Sequence, residues 1–245
     1  MLWLDGLLAV PSLGIRTRPA YKLVSDFQRS LAAFIDYFSS QFPDIEVQTL
    51  DIWGYSLTAK KTGLTFKISP KNILGQNAYA ILQEPTPGGL PRIELPEIRS
   101  YSELLTELST HLKKVLELFR DLHGFQYDRI GIVADAVLDT HSIPPGLSSW
   151  ISELAKPLGG DLVSSTANLV AKLSETDQYR DQCHHAIKFD QETPETGFDF
   201  KLDWQRVFKE KVPLEYKPIL TTMDECIENA LKYFERFGEG GAADG

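Results

Sequence analysis

The sequence predicts an α+β protein in which an antiparallel sheet is covered on one side by helices. Two observations carry that expectation. Apolar residues alternate with polar ones in some segments and recur every third or fourth residue in others, so strands and amphipathic helices share one chain. A composition of 42 % hydrophobic and 24 % charged residues is that of an ordinary folded protein, and 245 residues can bury about 70 % of the surface of the unfolded chain.

The elements follow in order. Met1 to Val10 is apolar but broken by Asp5 and has no basic leader, which predicts a strand rather than a signal peptide. Between Tyr21 and Phe42, Leu23, Val24, Phe27, Leu31, Phe34, Ile35 and Phe38 recur at helical spacing as far as Pro43. From Asp44 to Glu84 the period shortens, with Leu64, Phe66 and Ile68 alternating against Thr65 and Lys67, which predicts an antiparallel meander. Pro85 to Pro91 is too rich in proline and glycine for a helix or a central strand and reads as a surface loop. Ser100 stands three residues before Glu103, a capping box, and opens a helix running from Leu104 to Gly124. Ile130, Ile132, Ala134, Ala136 and Leu138 alternate as a strand, and a short helix from Leu147 to Lys156 follows Pro144-Pro145-Gly146. Three more strands share faces through Val163 to Leu173, Tyr179 to Phe189 and Phe198 to Trp204. Thr222 and Glu225 form a second capping box before the stripe Met223, Ile227, Ala230, Leu231 and Phe234. The tail, Gly238 to Gly245, is expected to be disordered.

Residues 1–124 and 125–237 each read as strand, helix, meander, helix, so the chain is expected to be two pseudo-repeated halves packed as one domain. By analogy the layout is similar to the TATA-binding-protein-like and helix-grip folds, in which a curved antiparallel sheet cups a ligand. Phe42-Pro43 at the end of the first helix, Asp128-Arg129-Ile130-Gly131-Ile132, and Leu202-Asp203-Trp204-Gln205 before a last helix ending Tyr233-Phe234 give a family resemblance. The chain resembles a sporadically distributed family of uncharacterised bacterial proteins of similar length. That resemblance implies a bacterial origin and no particular activity.

The chemistry-bearing residues point away from the common enzymes. Cys183-His184-His185 offers metal-ligand atoms, but on a strand Cys183 and His185 face one side and His184 the other, leaving two ligands at most. The expected reading is structural, with Cys183 and His185 half-buried and His184 exposed. His123 beside Gly124 suits a helix C-terminus, and His111 and His141 lack a nucleophile in their local sequence. Asp135 with Asp139, or Asp199 with Asp203, could pair for acid–base work, but alternation makes the latter two a solvated sheet face. There is no G-x-S-x-G, G-x-x-x-x-G-K-[ST], G-x-G-x-x-G or H-E-x-x-H. No catalytic residue, metal or cofactor is expected. The net charge of −9 opposes nucleic acid and anionic lipid, and no apolar run reaches the roughly 20 residues of a membrane span. Two cysteines are too few for a disulfide framework, which suits a reducing cytoplasm.

The leading expectation is therefore a non-enzymatic cytoplasmic protein that binds another protein. It would be an accessory or regulatory component of a bacterial multi-protein system, such as antiviral defence or toxin control. Trp53, Tyr55, Trp150, Phe208 and Tyr216, beside proline-rich loops, are its interface candidates. The alternative is a small-molecule binder, or an enzyme without a familiar motif, using the concave sheet face near Cys183, His185 and Trp204. Nucleic-acid binding would require Lys60, Lys61, Lys67, Lys71 and Arg92 to converge.

Overall fold

The computed structural model describes residues 2–18, 23–51, 54–79, 82–84, 92–94, 98–118, 125–139, 141, 143–159, 163–192, 197–213 and 215–239. In chain order the elements are β1 (Val10–Arg18), α1 (Leu23–Gln41), β2 (Ile45–Asp51), β3 (Gly54–Ala59), β4 (Leu64–Ile68), β5 (Asn72–Asn77), β6 (Leu82–Glu84), β7 (Arg92–Glu94) and α2 (Tyr101–Leu118). Then come β8 (Gln126–Leu138), α3 (Pro145–Ala155), β9 (Ser164–Glu175), β10 (Tyr179–Asp190), β11 (Phe198–Pro213) and α4 (Tyr216–Glu239). Nine strands form one open sheet in the order β2-β3-β4-β5-β1-β8-β11-β10-β9, and β6 and β7 pair separately. Every neighbouring pair is antiparallel. The α+β expectation holds at that level.

One face of the sheet carries the core, because the register aligns its apolar residues across strands. Leu13 pairs with Ile132, which pairs with Trp204, and all three are buried. In α1, Phe34 and Phe38 are buried, and the Phe38 ring lies 4.6 Å from Phe66 of β4. Each such ring contributes about 2 kcal/mol by leaving water. In α2, Leu104, Leu105, Leu108, Leu112, Val115 and Leu116 are buried, and the helix lies against β1 and β5. The approach is close at Gly75, where a Cβ would stand 2.8 Å from both Leu108 and Phe66. Helix α4 covers β8 and β11 through Ile219, Met223, Cys226, Ala230 and Phe234, and α3 packs on α4.

The capping box at α2 is formed: Ser100 Oγ accepts from the Glu103 amide at 3.2 Å and Glu103 returns a carboxylate to the Ser100 amide at 3.0 Å. The second expected box is not. Helix α4 begins at Tyr216, and Thr222 sits inside it donating to the Pro218 carbonyl at 2.9 Å. Pro218 lies in the first turn, where its missing N–H has no intrahelical partner to lose. Where the apolar N-terminal run predicts a strand, Trp3–Gly6 forms a 3-10 turn and the strand starts only at Val10. Asp5, which breaks the apolar run, accepts the Ser102 amide at 2.9 Å and helps to cap α2. Gly238, expected in a disordered tail, is buried in the last turns of α4. His123 and the loop 85–91 lie outside the described residues.

Candidate functional site

Among the described residues the helices cover one face of the sheet and leave the other open. Strict alternation places Ser12, Gly14 and Arg16 of β1 on the open face, with Arg129, Gly131, Val133 and Asp135 of β8, Lys201, Asp203 and Gln205 of β11, and His184 of β10. At the centre two glycines meet, Gly14 opposite Gly131. Leu74 leans over Gly14, since a Cβ there would stand 2.9 Å from its Cδ1. Gly131 is roomier, with Asp203 Oδ1 as the nearest atom to such a Cβ at 3.6 Å. The missing side chains leave an open hollow of about 210 Å³ floored by the glycines and walled by Arg16, Arg129, Asp203 and Gln205. Two more hollows, of about 180 and 260 Å³, continue the trough over β11, β10 and β9.

A polar chain runs along the first hollow. Arg129 Nη1 donates to Gln205 Oε1 at 2.9 Å, and Gln205 Nε2 donates to Asp203 Oδ2 at 2.6 Å. Beside it, Gln182 Nε2 and His184 Nε2 are 2.7 Å apart. Burial raises the Asp203 carboxyl pKa, opposed by Gln205, His184, Arg129 and Lys201. Burial and the neighbouring Arg16 lower that of Arg129, which stays charged. Arg16 is committed: a bulge in β8 at Asp128 re-aims that carboxylate to accept a two-pronged contact from Arg16, at 2.7 and 2.9 Å. Arg129 has no such partner. Among the described residues it makes no ion pair, and one amide oxygen occupies one of its five N–H donors. A planar fork with free donors in a partly desolvated hollow is suited to a carboxylate.

Of the residues singled out from sequence, Asp135, His184 and Asp203 border the open face, and most of the others fall elsewhere. Of Cys183, His185 and Trp204, His185 borders a hollow over β9 and β10, but all three side chains turn to the helices, because odd positions of β10 and even positions of β11 face that way. All three are buried, and His185 Nε2 lies 2.8 Å from the Tyr233 hydroxyl of α4. Burial pushes the Cys183 thiol pKa up, and that of Cys226 to about 12, which keeps both as unreactive thiols. His184, expected to be exposed, is half-buried beside Asp203. Tyr55, Trp150 and Phe208 are half-buried and pack against the core from β3, α3 and β11. Tyr216 is half-buried at the start of α4, and Trp53 lies outside the described residues. Lys60 and Lys61 lie in the turn before β4 and Lys71 in the turn after it, so only Lys67 projects from the strand between them. The Arg92 side chain lies outside the described residues. Asp199 is exposed as expected, whereas Asp203 is half-buried.

Sequence reasoning missed Arg129, Gly131 and Gln205 as a unit. Arg129 and Gln205 are 76 positions apart and meet only through the β8–β11 register. Among the described residues, no three His, Cys, Asp or Glu side chains gather as ligands for a metal ion. No described helix is long and apolar enough to cross a membrane. Compared with protein-family models and with curated proteins, the chain matches none.

Proposed function

We propose that this protein is a non-enzymatic binding module that docks another protein across the open face of its sheet, as an accessory or regulatory component of a bacterial, cytoplasmic assembly. The observation that carries the reading is Arg129, a half-buried guanidinium that makes no direct ion pair among the described residues, with Asp203 and Asp128 acting on it only at a distance, at the head of a broad shallow trough. A trough that continues across six strands suits an extended macromolecular surface better than a small molecule, which is held by enclosure. The partner would present an acidic side chain to Arg129, with apolar contacts on Leu74 and Val133. Bacterial origin rests on the family resemblance, and defence or toxin control is the kind of system such an accessory would serve.

The strand order also supports reading the chain as two related halves. Strands before residue 78 lie in the order β2-β3-β4-β5-β1 and those after residue 125 in the order β8-β11-β10-β9, so each half brings its first strand to the central seam. Leu13-Gly14-Ile15 and Ile130-Gly131-Ile132 then sit face to face across it. This is the arrangement expected of the TATA-binding-protein-like analogy, with the open face as the binding face.

The test is quantitative affinity capture from the native lysate with wild type, Arg129→Glu, and Glu228→Lys on the exposed side of α4. A stoichiometric protein partner is expected with wild type and Glu228→Lys, and its loss with Arg129→Glu, since a reversed charge would meet the partner's carboxylate. A partner retained by Arg129→Glu, or no protein partner at all, would overturn the reading.

A further inference from the structure

The sheet ends differently at its two edges. At one edge β2 has seven residues, begins and ends near the carboxylates Glu46 and Asp51, and holds Glu46 in an ion pair with Lys60 at 3.1 Å. At the other, β9 runs for twelve residues and, among the described residues, pairs on one side only, with β10. From Val163 to Ala171 it carries no charge and no proline. Its charges, Lys172 and Glu175, sit together at the far end, paired with each other and with Lys209. The irregular pairing, which leaves Leu173 unmatched, also falls at that end. Charges, prolines and bulges along the strand are the devices that keep an edge from pairing, and the middle of β9 has none of them. Its side chains are open on both faces of the sheet, with Val170 60 % and Leu169 47 % exposed.

We propose that β9 pairs antiparallel with β9 of a second copy of this chain, joining two nine-stranded sheets edge to edge about a two-fold axis. An edge of free backbone N–H and C=O groups calls for an extended strand, and self-complementarity makes that strand β9 itself. A two-fold normal to the sheet keeps each face on its own side only if paired positions have the same parity. Centring the axis on Ala167 meets that condition. Thr166 then faces Asn168, Ser165 faces Leu169, Ser164 faces Val170 and Val163 faces Ala171. The uncharged stretch pairs wholly with itself over about 30 Å, and no like charges face each other along it. The repulsion between two copies of net charge −9 therefore acts from outside the paired stretch, where salt screens it. Thr166, Asn168 and Val170 also line the last two hollows of the open face, so the trough would run on into the partner copy.

The test is the solution mass by light scattering and sedimentation at micromolar concentration. Wild type is expected at twice the 27.6 kDa of the chain. The double variant Thr166→Lys/Asn168→Lys changes two exposed side chains and sets lysine against lysine across the axis. It should weaken the dimer roughly tenfold or more, with an unchanged circular dichroism spectrum. Thr166→Glu/Asn168→Glu should do the same, and mixing the two variants should restore a mixed dimer. Gln48→Lys on β2 should leave the dimer intact. A monomeric wild type, including one that instead captures an extended peptide of another protein, would overturn the proposal. So would a dimer that survives both double variants, or two monomeric variants that fail to pair on mixing.

Discussion

The Arg206 guanidinium is 3 % exposed, and its surroundings account for a charge in that place. Burial is the largest influence and lowers its pKa, but the Asp181 carboxylate, Cys226 and Tyr179 together hold it above its ordinary value. Arg206 donates to both Asp181 oxygens at 2.8 and 2.9 Å, and its plane lies 3.9 Å from the Tyr179 ring centre. Glu225 of α4 accepts a third contact at 3.3 Å. Removing one partner strands the other charge out of water, so Arg206→Ala should destabilise the fold by about 3–5 kcal/mol. The double change Arg206→Met/Asp181→Leu, which removes both charges, should recover most of that loss. Urea unfolding checks both, and equal destabilisation by the single and double variants would show that packing, not charge, dominates. This pair was not legible in the sequence. Asp181 and Arg206 stand 25 positions apart, and alternation places each of them on what reads as a core face.

At the scale of elements, the N-terminal turn and the end of α4 are fitted to each other. Trp3 Nε1 donates to the Phe234 carbonyl at 2.6 Å, and its ring lies 5.4 Å from Phe200. The indole rests on Gly238, where a Cβ would fall well inside contact distance of its ring atoms. Gly238→Ala should therefore displace Trp3 or the last turn of α4, at about 1–3 kcal/mol as for other overpacked sites. A lower thermal midpoint with altered tryptophan fluorescence is expected, and Trp3→Ala should make the Gly238→Ala cost vanish. Full additivity of the two changes would contradict the fit. Most elements were legible because each has one buried face: the period of Leu104 to Leu116 and the alternation of Ile130 to Leu138 both survive in the structure. Their ends were less so. Helix α4 starts before its apolar stripe, the N-terminal run folds as a turn capped to α2, and Gly238 reads as tail until Trp3 is known to lie on it. The open-face site was legible only in outline, because alternation marks which side is bare but not which strands adjoin.

Over the whole molecule, each half seals a helix against the sheet around a histidine. His111 of α2 lies 2.9 Å from the Tyr37 hydroxyl, with its ring among Phe38, Phe42 and Phe66. His185 of β10 lies beneath α4 between Tyr233 and Phe237. Burial lowers both pKa values from the ordinary 6.5; Glu107 opposes the shift at His111, and a Leu169 backbone contact opposes it at His185 while His184 reinforces it. A histidine with a depressed folded pKa binds its proton more readily in the unfolded chain. The stability it contributes is therefore complete above about 6.5 and is lost as the pH falls from there through the folded pKa. Asp203 acts in the opposite sense: its raised pKa makes the folded state the better proton acceptor, so the stability it contributes is lost as the pH rises from 3.8 through the folded pKa. The urea midpoint should accordingly fall as the pH is taken from 7.5 to 5.5, and His111→Gln/His185→Gln should flatten that slope whatever it does to the midpoint at pH 7.5. Each single variant should remove part of the slope, because the two seams lie in different halves and titrate independently. A double variant that kept the full pH dependence would place the responsible groups elsewhere in the chain.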